Sequence, residues 1–186
     1  MNERPRIILG VTGSVAAKLT PKLVAALQVL GDVDVVATKA ALYFWDRAET
    51  GTRLWTDDEE WPGSLYVKDQ DVPHIKLGDE ADILVIAPLT ANTLAKMAHG
   101  LADNLLTSLF LAWPIDKPIV IAPAMNTRMW ENLRTRANLG WFWDLHGHSR
   151  VVDPVAKKLA CGTTGKGAMA DIAEIVTRVR NVLRLN

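Results

Sequence analysis

Four short apolar runs limit what this chain can fold into: residues 6–11, 33–38, 81–88 and 118–122. Each is short and shows no polar alternation, so each reads as a strand covered on both faces. The segments between them carry apolar residues at helical spacing. After the first run these are Leu19, Leu23, Ala26, Leu27 and Leu30, with Gly31 as the stop. Strands alternating with helices predict an α/β fold: one doubly wound, Rossmann-like domain over residues 1–186 with a mostly parallel sheet.

The same pattern gives further expectations. A short helix opens at Thr38 and runs through Phe44 and Trp45. Residues 49–72 form an irregular excursion whose acidic run, Asp57 to Glu60, lies on a solvated surface. A long helix covers residues 93–113, with Gly100 and Asn104 as points where it can divide. Further helices cover 131–146 and 171–185, and residues 151–154 form a short strand. His74 stands just before a strand, and residues 159–169 form a glycine-rich flexible loop.

In an open parallel sheet, ligands bind outside the carboxyl ends of the strands. Three such ends carry Gly13-Ser14, Thr90-Ala91-Asn92 and Ala124-Met125-Asn126. Small hydroxyl and amide residues there suit the phosphate and polar ring edge of a mononucleotide. A Gly-Ser turn opening a helix can cradle an anion. It is equally a tight βα turn with a serine cap. Neither G-x-G-x-x-G nor G-K-[ST] occurs. In the stretch after the fourth run, Asn126 can donate and accept, while Met125, Met129 and Trp130 supply an apolar wall.

Composition narrows the partners. Lys plus Arg and Asp plus Glu each number 21, so no net field draws in nucleic acid or an anionic membrane. No stretch is apolar for the ~20 residues that span a bilayer. The N-terminal segment does not read as a secretory signal. One cysteine makes no internal disulfide, which points to a reducing cytoplasm. The four histidines show no metal spacing with Cys161, so no metal is expected. Seven Trp suggest that several sit on partly exposed surfaces or interfaces.

Along nearly its whole length the chain resembles the homo-oligomeric flavin-containing cysteine decarboxylases. The signature P-x-M-N-x-x-M-W is complete at Pro123, Met125, Asn126, Met129 and Trp130. G-S-V-A-A stands at 13–17, the histidine motif at His74 to Leu77, Ala-Pro-Leu-Thr-Ala-Asn-Thr-Leu at 87–94, and Asp-Asn-Leu-Leu at 103–106. The clamp A-C-G-x-x-G-x-G-x-M stands at 160–169.

The resemblance implies FMN at a subunit interface of a homotrimer or of a larger assembly of trimers. It implies a small-molecule substrate, an N-acylated cysteine such as phosphopantothenoylcysteine. Gly13, Ser14 and Val15 would hold the phosphate region. Thr38, Ala40, Phe44, Thr90, Ala91, Asn92, Thr93 and Ala124 would line the cofactor. Asn126 and Met129 would meet the substrate, His74 would act as acid or base, and Cys161 would donate a proton late in the cycle. The sequence departs from the family after the histidine motif, where relatives carry basic residues and Gly78-Asp79-Glu80 stands here. The basic partner for the substrate then has to come from Lys76, Arg128, Lys166 or another subunit. Three other readings are weighed: oxidative decarboxylation of a peptide's C-terminal cysteine, a regulatory flavin-binding protein, and a flavin prenyltransferase of related fold, in which the Met-Asn motif and the cysteine clamp are not expected. Cys161 favours the full cycle, and the chain carries no long acidic extension of the kind regulatory relatives have.

Overall fold

The computed structural model describes residues 4–63, 65, 67–145, 150–158 and 164–185. In chain order the strands of the main sheet are β1 (Arg6–Val11), β2 (Asp32–Ala37), β3 (Leu54–Trp55), β4 (Ile83–Leu89), β5 (Ile119–Pro123) and β6 (Arg150–Val151). They lie in the order β3-β2-β1-β4-β5-β6, and every pairing is parallel. β7 (Val155–Lys158) and β8 (Thr164–Ala168) form a separate antiparallel pair. The helices are α1 (Thr20–Leu27), α2 (Asp57–Glu60), α3 (Pro73–Glu80), α4 (Ala91–Ala98), α5 (Leu105–Leu111), α6 (Thr127–Glu131), α7 (Leu133–Leu145) and α8 (Ile172–Val182).

The strand order confirms the doubly wound fold, and its direction reverses between β1 and β4. Alternation along the strands builds a core on each face. Ile7, Leu9 and Val11 of β1 join Leu23, Leu27, Ile175 and Val179 of α1 and α8. Ile8, Leu84 and Ile86 join Leu77, Leu94, Leu106 and Phe142 on the other face, from α3, α4, α5 and α7. All seven residues of β4 are buried, as a central strand covered on both sides requires.

Several boundaries differ from the sequence expectation. The first helical run is split: a 3-10 turn spans Val15–Leu19, and α1 restarts with Pro21 in its first turn. Proline lacks the N–H that a continuous helix would use there. Residues 41–43 form only a 3-10 turn. β4 runs one residue past Pro88, with a register shift between Ile86 and Leu89, where proline has no donor for the ladder. The long helix divides at both marked points: Gly100 takes φ +66° and Asn104 caps α5. His74 lies in the first turn of α3 rather than in a lead-in to a strand.

The excursion contains β3 and α2, and the acidic run is the helix α2. Within the expected glycine-rich loop 159–169, residues 164–168 form β8, paired with β7, rather than a loop, and residues 159–163 lie outside the described residues. Among the tryptophans whose burial is described, Trp45, Trp55, Trp113 and Trp130 are in the core, Trp141 is half-buried and Trp61 is 53% exposed. Among the described residues no helix is long and apolar enough to cross a membrane.

Candidate active site

The carboxyl ends of β1, β2, β4 and β5 open into a cleft of about 490 Å³, a volume typical of small-molecule sites. Thr12, buried at the end of β1, fixes the geometry of its floor. Its hydroxyl donates to the Pro88 carbonyl at 2.8 Å and accepts from the Thr90 N–H at 2.9 Å. The Thr38 N–H donates to the Val11 carbonyl at 3.0 Å. Three strand ends are thereby tied at one point.

On the β1 side the wall is Gly13 and Ser14, with Thr38, Lys39 and Ala40 behind them from the end of β2. A Cβ on Gly13 would stand 2.5 Å from the Ala40 Cβ and 3.1 Å from its carbonyl carbon. Only glycine lets the two turns approach this closely. Ser14 caps the 3-10 turn, its Oγ accepting from the Ala16 N–H at 3.3 Å. The serine-cap reading of this turn is therefore correct, and the cap orients the turn toward the cleft.

The β4 side contributes residues 90–93 and Lys96. The Thr90 Oγ accepts from the Thr93 N–H at 3.3 Å and caps α4. Lys96 Nζ reaches both Asp103 carboxylate oxygens, at 2.7 and 2.6 Å. That hydrogen bond holds the Asp103 carboxyl below its usual range. Asn104 caps α5 through a hydrogen bond from the Thr107 N–H at 3.0 Å, and Asp57 of α2 accepts from the Leu105 N–H at 2.9 Å. Asp57, Asp103 and Asn104 all face the cleft. The N-terminal ends of several short helices therefore surround it, and their dipoles favour an anionic ligand.

The β5 side carries Ala124, Met125 and Met129. Asn126 caps α6, its Oδ1 accepting from the Met129 N–H at 2.9 Å, and its side chain is exposed. The oxygen is thus engaged with the backbone, and the amide NH2 is the group left to meet a ligand. Above this turn sits the hairpin. Gly167 O accepts from the Met125 N–H at 2.9 Å, and Gly165 lies against the Thr127 side chain. The Thr127 Oγ1 is buried with no hydrogen-bond partner among the described residues.

Of the residues expected at the site, the cleft brings together Gly13, Ser14, Thr38, Ala40, Thr90, Ala91, Asn92, Thr93, Ala124 and Met129. Val15, Phe44, His74 and Asn126 do not line it. Val15 is 42% exposed, and Phe44 packs against the core. His74 is bound to Glu60, whose carboxylate contacts the ring Nδ1 and accepts the His74 backbone N–H at 3.2 Å. Cys161, His146 and His148 lie outside the described residues. Of the basic candidates, Lys76 pairs with Asp71 at 2.8 Å, and Lys166 lies 3.7 Å from Asp153 and over the Trp130 ring. Arg128 is exposed on α6.

Sequence reasoning missed Lys39, Asp57, Glu60 and Lys96. The acidic run is not merely solvated: Asp57 faces the cleft and the Glu60 side chain is only 6% exposed. The local signal in the sequence is Thr56-x-x-Glu59, a capping box that marks the start of the helix carrying Asp57 and Glu60 but does not place either residue at the cleft.

Comparison with known proteins agrees with this geometry. A family model described as Flavoprotein matches residues 1–184. A protein of rice, Oryza sativa subsp. japonica, named phosphopantothenoylcysteine decarboxylase is 48% identical over 179 residues, 95% of this chain and 80% of that one. Among solved structures, a cysteine-to-serine variant of PPC decarboxylase complexed with pantothenoylaminoethenethiol matches with a TM-score of 0.92 and 42% identity, over 98% of this chain and 100% of the other. The FMN binding protein AtHal3 matches with a TM-score of 0.89 and 41% identity, over 99% of each chain. This chain belongs to the Flavoprotein family.

Proposed function

We propose that this protein is an FMN-dependent carboxy-lyase that converts 4'-phosphopantothenoylcysteine to 4'-phosphopantetheine in coenzyme A formation. The observation that carries the reading is the convergence of the Met-Asn loop, the hairpin docked on it and a mononucleotide-sized cleft at the carboxyl edge of one sheet. The residues fit FMN. A turn that only glycine can form stands beside Ser14, helix N-termini surround the cleft, and Thr38, Thr90 and Asn92 offer polar contacts along one wall. The one-phosphate character of the turn, with no dinucleotide fingerprint, favours FMN over FAD.

Bound FMN supplies reversible hydride acceptance at the carbon bearing sulfur, which an N-acylated cysteine needs before its carboxylate can leave. The protein's residues do the rest. Gly13 and Ser14 would hold the phosphate end, and Thr38, Ala40, Thr90, Ala91, Asn92, Thr93 and Ala124, which line the cleft, would hold the rest of the cofactor. The Asn126 amide donates to the substrate's carboxylate or amide, with Met129 packed beside it. His74 moves a proton at its ring nitrogen, and Cys161 supplies a proton at the end. A thiol with an ordinary pKa near ~8.5 suits that last role when water is excluded.

The unit is one domain that assembles as a trimer, or as a larger assembly of trimers, in the cytoplasm. The assembly accounts for His74, which does not line its own chain's cleft: a site completed between subunits brings it to a neighbour's flavin. The exposed apolar side chains of Tyr43, Met129 and Leu133, at 86%, 45% and 84%, support such a boundary. Denaturing the purified protein and identifying the released flavin tests the cofactor, with FMN expected and FAD contradicting it. Light scattering tests the assembly; monomer alone at micromolar concentration would rule the trimer out.

A further inference from the structure

His74 is held at two points by one carboxylate. A Glu60 oxygen contacts the ring Nδ1, and its second oxygen accepts the His74 backbone N–H at 3.2 Å. The second bond answers a local need. α3 opens at Pro73 with Val72 as its N-cap, and valine has no side-chain acceptor for the helix's first N–H groups. Glu60, from another helix, does that work. Ring and backbone of His74 are thereby referred to the same rigid group.

Glu60 is itself well anchored. It is the last residue of α2, whose first turn is fixed by the Thr56–Glu59 capping box. Asp57, at the other end of α2, accepts from the Leu105 N–H at 2.9 Å. With its side chain only 6% exposed, a carboxylate is costly unless its oxygens are bonded. Both oxygens of Glu60 are spent on His74.

An ionised carboxylate accepts hydrogen bonds and donates none. Opposite Glu60, the imidazole therefore carries its proton on Nδ1 and leaves Nε2 as the nitrogen that exchanges protons. We propose that Glu60 is a positioning residue of the decarboxylation site, fixing His74 as the Nδ1–H tautomer so that Nε2 faces the substrate. When Nε2 takes a proton, the adjacent carboxylate also stabilises the imidazolium that forms, the arrangement of an acid–base histidine oriented by a third group. The inference rests on the reading of His74 as the acid–base group.

The test uses the FMN-loaded protein labelled with 15N in histidine alone. It contains four histidines, and the His74 ring signals are those lost in His74→Asn. Long-range proton–nitrogen correlations in the unmutated protein should report Nδ1–H for His74; an Nε2–H tautomer there overturns the proposal before any Glu60 variant is made. Glu60→Gln keeps an acceptor for the α3 cap but can also donate to a bare Nδ1. It should move His74 toward the Nε2–H form and slow first-turnover flavin bleaching roughly 10- to 100-fold, with FMN content and melting temperature retained. Glu60→Asp, which keeps the charge, should restore part of the rate. An unchanged tautomer or an unchanged bleaching rate in Glu60→Gln overturns the proposal. If His74→Asn bleaches at the normal rate, the role given to His74 fails instead, and the tautomer measurement separates the two failures.

Discussion

The Met125 N–H donates to the Gly167 carbonyl at 2.9 Å, so the β7–β8 pair is hydrogen-bonded to the Met-Asn loop. Gly167 has φ +150°, and a Cβ there would run into the Met125 carbonyl and stand 3.2 Å from the Asn126 carbonyl carbon. Gly167→Ala should therefore strain or undock the hairpin, costing about 1–3 kcal/mol. A lower melting temperature and faster proteolytic cleavage within residues 155–168 are expected. An unchanged melt and cleavage pattern would show that the hairpin tolerates the side chain.

Gly13 makes a second prediction. Alanine at this position forces the first βα turn away from Ala40. The fold should survive, because the core faces of β1 are untouched. FMN retention should fall at least tenfold, about 1.4 kcal/mol of binding. Equilibrium titration of the apoprotein with FMN checks this, and affinity equal to the parent's contradicts it.

The capping box predicts a pH effect. Burial pushes the Glu59 carboxyl up, but hydrogen bonds from the Thr56 hydroxyl and N–H, at 2.6 and 2.7 Å, outweigh it and leave the pKa below the ordinary 4.5. A carboxyl whose pKa is depressed in the folded state adds stability above its unfolded value, and that stability is lost as pH falls through the folded pKa. Thr56→Ala should cost about 1 kcal/mol near neutral pH and weaken the loss of stability below pH 4.5. Urea midpoints measured from neutral pH down into the acid range test both parts; parallel curves for the two proteins would deny Glu59 its role.

Cys161 and His74 should fail at different points of one cycle. Cys161→Ser should leave FMN binding and decarboxylation intact but stall before the last reduction, because a hydroxyl is a far poorer proton donor than a thiol. Single-turnover reactions should then accumulate bleached flavin and a product two mass units lighter than the normal thiol. His74→Asn should form little of that product. Normal turnover by Cys161→Ser would remove the clamp cysteine from the mechanism.

The fold was legible where the physics is local. β1, β2, β4 and β5 are apolar runs that only a twice-covered strand explains, and the strand-end turns with Gly13, Thr90 and Ala124 do meet in the cleft. The division of the long helix was marked by Gly100 and Asn104, each with a backbone reason. What escaped was set by tertiary contact. Nothing in the spacing of Asp57 or Glu60 says that one faces the cleft and the other holds His74, since each partner lies well away in sequence. The burial of most described Trp residues likewise depends on how helices pack across the sheet.

The central claim is chemical, and one incubation tests it most directly. Purified protein loaded with FMN is mixed with 4'-phosphopantothenoylcysteine, and carbon dioxide and thiol product are followed by mass spectrometry. The account predicts one carbon dioxide released for each saturated 4'-phosphopantetheine formed, over many turnovers and with no added oxidant. Release of the enethiol with oxygen consumption would place the protein among oxidative decarboxylases. No carbon dioxide at all would contradict the assignment of the reaction.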